Sequence, residues 1–176
     1  MLHQESGEVL EAVDSLRAKV VAHARDHIGD GPKGSDAVLR YWQTCGAVNG
    51  ATPYNDFQLR QAAGCIRNQR GNDHCGVFCL CVLHECGLSK EPWPQGSTFL
   101  HKDWITQDPQ PGDILYQPAP FGHHGIVESR YEKNGEIWLK SIEANTPTTI
   151  GRDRKEPKNV VYYSIKPLLL KALDAA

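Results

Sequence analysis

Apolar residues recur every three or four positions at the start of the chain. Val9, Val13, Leu16, Val20, Ala24 and Ile28 share one face of a helix. That spacing predicts an amphipathic helix over about 7–28, stopped by the breaker cluster Gly29-Asp30-Gly31-Pro32. A second short helix is expected from Ser35 to Trp42, capped by Ser35 or Asp36, and a third from Phe57 to Ile66. From Asn72 to Gly87 the apolar run Cys75-Gly76-Val77-Phe78-Cys79-Leu80-Cys81-Val82-Leu83 predicts another helix, with Asn72 or Asp73 as cap and Gly87 as stop. Residues 89–111 carry several prolines and read as a long irregular connection.

Beyond residue 111 the pattern changes to that of strands. Segments 113–116, 123–130, 136–145 and 159–165 are expected strands, with Asn134-Gly135 as a hairpin turn. Arg152-Asp153-Arg154-Lys155-Glu156 is a mixed-charge cluster and reads as a solvated loop. Leu168-Leu169-Leu170 predicts a terminal helix docking on the core. Helices first and strands afterwards indicate an α+β domain, with the N-terminal helices packed on a small antiparallel β-sheet. The whole chain, 1–176, is expected to be one domain. It comprises an N-terminal helix at about 7–28, a core at about 35–165 and a C-terminal segment at 166–176.

Size and composition are compatible with that organisation. The 176 residues are 40% apolar and 23% charged, and they suffice for one well-buried domain. A net charge of -2 without a Lys/Arg stripe argues against an electrostatic nucleic-acid binder. No segment approaches the ~20 apolar residues of a membrane span. The opening residues Met1 to Glu8 lack a basic start followed by an apolar stretch, so synthesis in the cytoplasm without a signal peptide is expected. Of six cysteines, four (Cys75, Cys79, Cys81, Cys86) fall in one expected helix, where they are poorly placed to bridge each other. Reduced thiols are expected, with Cys45 and Cys65 as the pair to check for a disulfide.

Candidate chemistry centres on Cys75, the cysteine expected at a helix start. Free backbone N–H groups and the positive end of the helix dipole favour thiolate there, and the same groups can hold an oxyanion. A thiol nucleophile needs a base, and the base needs a polar partner to hold its ring. His123 and His124 open a strand, where only one of them can face the core. Glu128 marks the His124 face as the wetter one, which favours His123 as base. Further on, Ile137, Leu139, Ser141, Glu143 and Asn145 share a strand face whose apolar start is expected to meet the helices. Glu143 and Asn145 are alternative orienters of the imidazole.

Four motifs in order resemble the bacterial papain-like peptidoglycan hydrolases, the CHAP and NlpC-type cysteine peptidases and amidases. Asp73-His74-Cys75-Gly76-Val77-Phe78 is similar to the nucleophile motif, and Pro111-Gly112-Asp113-Ile114-Leu115 to the turn opening the first core strand. Gly122-His123-His124-Gly125-Ile126-Val127 is similar to the histidine strand, and Ile142-Glu143-Ala144-Asn145 to a Glu-x-Asn ending. The resemblance covers about residues 65–165. Departures are Gly76, where Ser or Ala is usual, and His74 directly before the cysteine.

The resemblance implies a papain-like fold with the nucleophile at a helix N-terminus, and His123 as the catalytic histidine. It implies cleavage of an amide bond in peptidoglycan, either within the wall peptide or between sugar and peptide, with no metal or cofactor. A phage lysin or secreted antibacterial effector fits such a domain. It would act at the cell wall or periplasm after lysis or specialised secretion, and an inhibitor or immunity protein would be its partner. One alternative keeps the chemistry and takes a protein substrate, as a protease or deamidase. Another is a non-enzymatic zinc module using His74, Cys75, Cys79, Cys81, His84 and Cys86.

Overall fold

A computed structural model describes residues 7–68, 71–94, 98–118, 122–145 and 147–175. The helices are α1 (Gly7–Asp26), α2 (Asp36–Cys45), α3 (Asp56–Ala63), α4 (Cys75–Glu85) and α5 (Lys166–Asp174). The short strands β1 (Ala47–Asn49), β2 (Thr52–Pro53) and β3 (Trp93–Pro94) form a small sheet in the order β2-β1-β3, with β1 and β3 parallel. A six-stranded antiparallel sheet takes the order β4-β9-β5-β6-β7-β8. Its strands are β4 (Ile105–Thr106), β5 (Ile114–Gln117), β6 (His123–Lys133), β7 (Glu136–Glu143), β8 (Ile150–Lys155) and β9 (Val161–Tyr163). The chain is therefore α+β. None of the described helices is long and apolar enough to cross a membrane.

Local chemistry explains the elements. Ser35 caps α2 by accepting from the Val38 N–H, and Asn55 and Gln58 form a reciprocal capping box on α3. Helix α4 is apolar on every side, and Cys75 through Leu83 are all buried. A helix with no polar face has to be surrounded, so α4 becomes the centre of the molecule. Its Val77, Phe78 and Leu80 join Val20 of α1, Trp42 of α2, Ile114, Ile126 and Ile142 of the sheet, and Leu169 of α5 in one core. The opposite face of the sheet carries a second, smaller cluster of Leu115, Val127, Leu139 and Tyr162.

Asp113, fully buried, ties the layers together. Its Oδ1 accepts from Arg17 of α1 at 2.7 Å and from the Ile165 N–H at the start of α5 at 2.9 Å, and its Oδ2 accepts from the Gln110 N–H. The Pro-Gly-Asp turn thus holds the first helix, the first long-range strand and the last helix at one point.

Several expectations change. Helix α4 starts at Cys75 itself, and neither Asn72 nor Asp73 caps it: the preceding residue is His74, whose side chain makes no capping bond. The connection over 89–111 contains β3, one turn of 3-10 helix at Lys102–Trp104, and β4. The supposed solvated loop at 152–156 is largely strand β8, with Arg152 and Arg154 turned inward and Asp153 and Lys155 outward. Strand β7 stops at Glu143, because Asn145 adopts a left-handed conformation with φ 65°. The Leu139-Ser141-Glu143 face points away from the helices, into the second cluster. The His124-Ile126 face is the one that meets them. The described cysteines are all free, Cys45 and Cys65 included.

Candidate active site

The first turn of α4 and the first residues of β6 meet at Cys75. The thiol is buried, with its Sγ 4.0 Å from the Gly122 carbonyl and 3.7 Å from His124 Nδ1. First-turn N–H groups have no acceptor four residues back, and His74 does not cap them, so they remain beside the thiol as potential donors.

His123 lies on the other face of β6, the face of Gly125 and Val127. Its Nε2 is 2.9 Å from Glu143 Oε2 across the β6–β7 ladder. With Nε2 so engaged, Nδ1 is the ring nitrogen left for the thiol. Gly125 makes this pairing sterically feasible. A Cβ there would lie 2.8 Å from Glu143 Cγ and 3.1 Å from the Ile142 carbonyl. Glu143 is fully buried and has several partners besides His123. Ser141 Oγ donates to Oε1 at 2.7 Å, Arg154 donates to Oε1 at 2.7 Å, and Arg152 lies 3.0 Å from Oε2 as an ion-pair contact without an aligned hydrogen bond. Burial alone would raise the Glu143 carboxyl. Its hydrogen bonds from His123 and Ser141 and the charge of Arg154 outweigh burial and hold it below the usual range.

The thiol and the imidazole change each other's proton affinity. Burial pushes the Cys75 thiol up, but hydrogen bonding to His123 first, and then His124, brings it down to about 6. Hydrogen bonds to Cys75 and Glu143 raise His123 to about 9 against the effect of its own burial. Between those values Cys75 is thiolate and His123 imidazolium. Four other thiols shift the opposite way: burial pushes Cys65, Cys79 and Cys86 up, and contact with Cys81 followed by burial raises Cys45.

No family model, curated protein or solved structure matches the chain.

His124 occupies a different environment from His123. Its ring is packed against Tyr116 (centroids 4.8 Å apart), Phe99 (6.2 Å) and Trp93 (6.4 Å), and its Nε2 is buried without a hydrogen-bond partner. It approaches the thiol, but no carboxylate among the described residues is hydrogen-bonded to it. Gly76 belongs to the same arrangement. A Cβ at residue 76 would meet the Trp93 ring at 2.5 Å and His124 Nδ1 at 3.2 Å. The Ser or Ala usual at this place in the resembled motif would not fit beside these two rings.

His74 and Asn145 meet each other instead of joining the His123 pair. The Asn145 backbone N–H donates to His74 Nε2 at 3.2 Å. Burial lowers His74 to about 4, so it is neutral at pH 7 and its Nε2 is an occupied acceptor. Glu143 is thus the one of the two alternative orienters that contacts His123. Arg152 and Arg154 were missed by sequence reasoning. Their signal was the alternation in Ile150-Gly151-Arg152-Asp153-Arg154-Lys155, obscured by its mixed charge. A cavity of about 510 Å³ lined by Arg130, Glu136, Glu156 and Tyr162 lies elsewhere, and none of its lining residues belongs to the Cys75–His123–Glu143 group.

The residues of the zinc alternative do not converge. His84 Nε2 bonds the Glu91 carbonyl at 2.8 Å, Cys79 is completely buried, and Cys75 pairs with histidines. The metal-ligating side chains that do converge among the described residues are His27, Cys81 and Glu85.

Proposed function

We propose that this protein is a cysteine hydrolase with a papain-like arrangement, and that it cleaves an amide bond in peptidoglycan. What supports the chemistry is the 2.9 Å contact of His123 with the buried carboxylate of Glu143, together with the lowered proton affinity of the helix-start thiol Cys75, which His123 and then His124 bring down. The choice of peptidoglycan rests on the resemblance of the four motifs.

The Cys75 thiolate attacks the amide carbonyl carbon, and the carbonyl oxygen becomes an oxyanion held by first-turn N–H groups of α4. Imidazolium His123 then donates its Nδ1 proton to the leaving amine nitrogen as the C–N bond breaks. The acyl group remains on sulfur. A water molecule, deprotonated by the now neutral His123, attacks the thioester and releases the carboxylate product and the thiolate. Glu143 fixes the ring and stabilises its charged form throughout. Such a domain suits a phage lysin or a secreted antibacterial effector acting at the cell wall.

Purified sacculi provide the test. Wild-type protein is expected to release soluble fragments whose masses identify the cut amide, with a rate plateau between about pH 6 and 9. Below the plateau the thiolate is protonated, and above it the imidazolium loses the proton the leaving amine needs. If Cys75→Ala protein releases the same fragments, or wild type releases none, the proposal fails.

A further inference from the structure

Helices α1 and α4 bring together a second group of reactive side chains, about 9 Å along the α4 axis from Cys75. Cys81 and Glu85 are one turn apart on α4, and His27 follows the end of α1. His27 Nε2 is 2.8 Å from Glu85 Oε2, and the Cys81 thiol lies 3.6 Å from Glu85 Oε1. The three donor atoms all lie within 4.8 Å of one another. Tetrahedral bonds of about 2.0–2.3 Å to nitrogen, oxygen and sulfur would place them roughly 3.3–3.8 Å apart. Small side-chain shifts would therefore close the set.

Three further observations support a ligand set over a simple polar contact. His27 Nδ1 is 2.9 Å from Asp30 Oδ2, and the same carboxylate oxygen accepts from Tyr41 Oη at 2.8 Å. A metal-bound imidazole characteristically gives its other N–H to a carboxylate in this way, which fixes the tautomer with Nε2 free to bind. His23 Nδ1, one turn earlier on α1, is 3.9 Å from Glu85 Oε2, so a second imidazole borders the set. A cavity of about 310 Å³ lined by His27, Arg40, Tyr41, Thr44 and Glu85 opens the group to solvent, which gives an ion a route in.

We propose that His27, Cys81 and Glu85 form a divalent-metal site of the zinc class that clamps α1 to α4. A mixed nitrogen, sulfur and oxygen set without an obligatory water cage selects Zn²⁺ over Mg²⁺ or Ca²⁺. As the metal binds, the Cys81 S–H bond breaks and its proton passes to solvent while sulfur donates to the ion; no redox change occurs. The ion's role is structural. It sits behind the nucleophile's helix and touches none of Cys75, His123 or Glu143, so it stands or falls independently of the hydrolase reading.

The test uses chelator-stripped full-length Cys75→Ala protein, which removes the other thiol able to capture metal beside histidines. Titration with Co²⁺ is expected to saturate at one equivalent, with a thiolate-to-cobalt charge-transfer band that Zn²⁺ abolishes by displacement. Zn²⁺ should also raise the melting temperature. Adding Cys81→Ser should remove the charge-transfer band. His27→Gln and Glu85→Gln, both near the surface, should weaken binding with unchanged far-ultraviolet circular dichroism. Asp30→Asn should weaken it by about 10–100-fold. Absence of saturable binding overturns the proposal. So does a band that persists in the Cys81→Ser variant, or equal affinity in His27→Gln and Glu85→Gln proteins.

Discussion

At residue scale the site depends on space as well as charge. Glu143 reaches His123 only because Gly125 lacks a side chain, and the Trp93 and His124 rings pack against the first turn of α4 only because Gly76 lacks one. Gly125→Ala should push Glu143 off the ring and lower turnover at least about 100-fold, the scale of a lost acid–base contribution, at an overpacking cost of about 1–3 kcal/mol. Gly76→Ala should displace the Trp93 and His124 rings and lower turnover too. Steady-state kinetics beside circular dichroism checks both, and unchanged turnover in Gly125→Ala protein would count against the role of Glu143. Sequence alone brought Cys75, His123 and Glu143 forward, because each sits at an element boundary. It left Asn145 open because strand alternation carries past Glu143. In the structure the left-handed turn gives the Asn145 backbone N–H, at 3.2 Å, to His74, while Glu143 is the alternative that contacts His123.

At the scale of elements, β8 holds the carboxylate in place. Arg152 and Arg154 project inward from alternate positions of an edge strand and pair with a Glu143 that is otherwise cut off from water. Arg154 is itself 30% exposed, so its hydrogen bond is worth about 1–2 kcal/mol, toward the low end for a charged partner. Arg154→Ala should lower the melting temperature by several degrees at neutral pH. The sign with pH follows from the depressed Glu143 pKa: the stabilisation is present above the ordinary carboxylate range and lost as pH falls through the folded value. The wild-type and variant melting curves should therefore converge in acid. The α helices were legible from their apolar patterns, with the Ser35 cap agreeing for α2, whereas the cap expected for α4 at Asn72 or Asp73 is not there. β8 was hidden by a surface-like composition whose charges face a buried partner. The faces of β6 and β7 were assigned the wrong way round, because Glu128 and Leu139 are weak guides when both faces of a sheet are partly buried.

For the molecule as a whole, the α+β class and the central place of α4 follow from an apolar helix that has to be surrounded. The hub at Asp113 links α1, β5 and α5 but touches none of Cys75, His123 and Glu143. Asp113→Ala leaves Arg17 buried without its partner, a loss of about 3–5 kcal/mol. In a chain of this size that is a drop of roughly 6–20 °C in melting temperature. Turnover per folded molecule should be retained, which calorimetry and activity below the transition can separate. Sequence order could not reveal this hub, since Arg17 and Asp113 meet only through tertiary packing.

The thiolate–imidazolium pair is probed by the rate of iodoacetamide alkylation of Cys75 as a function of pH, in wild type and in His123→Ala protein. One equivalent should react, at Cys75, with a rate that rises through an apparent pKa of about 6. In His123→Ala protein that pKa should move up, because burial of the thiol is then opposed by His124 alone. Labelling of another cysteine first, or a Cys75 profile that does not respond to loss of His123, would contradict the account.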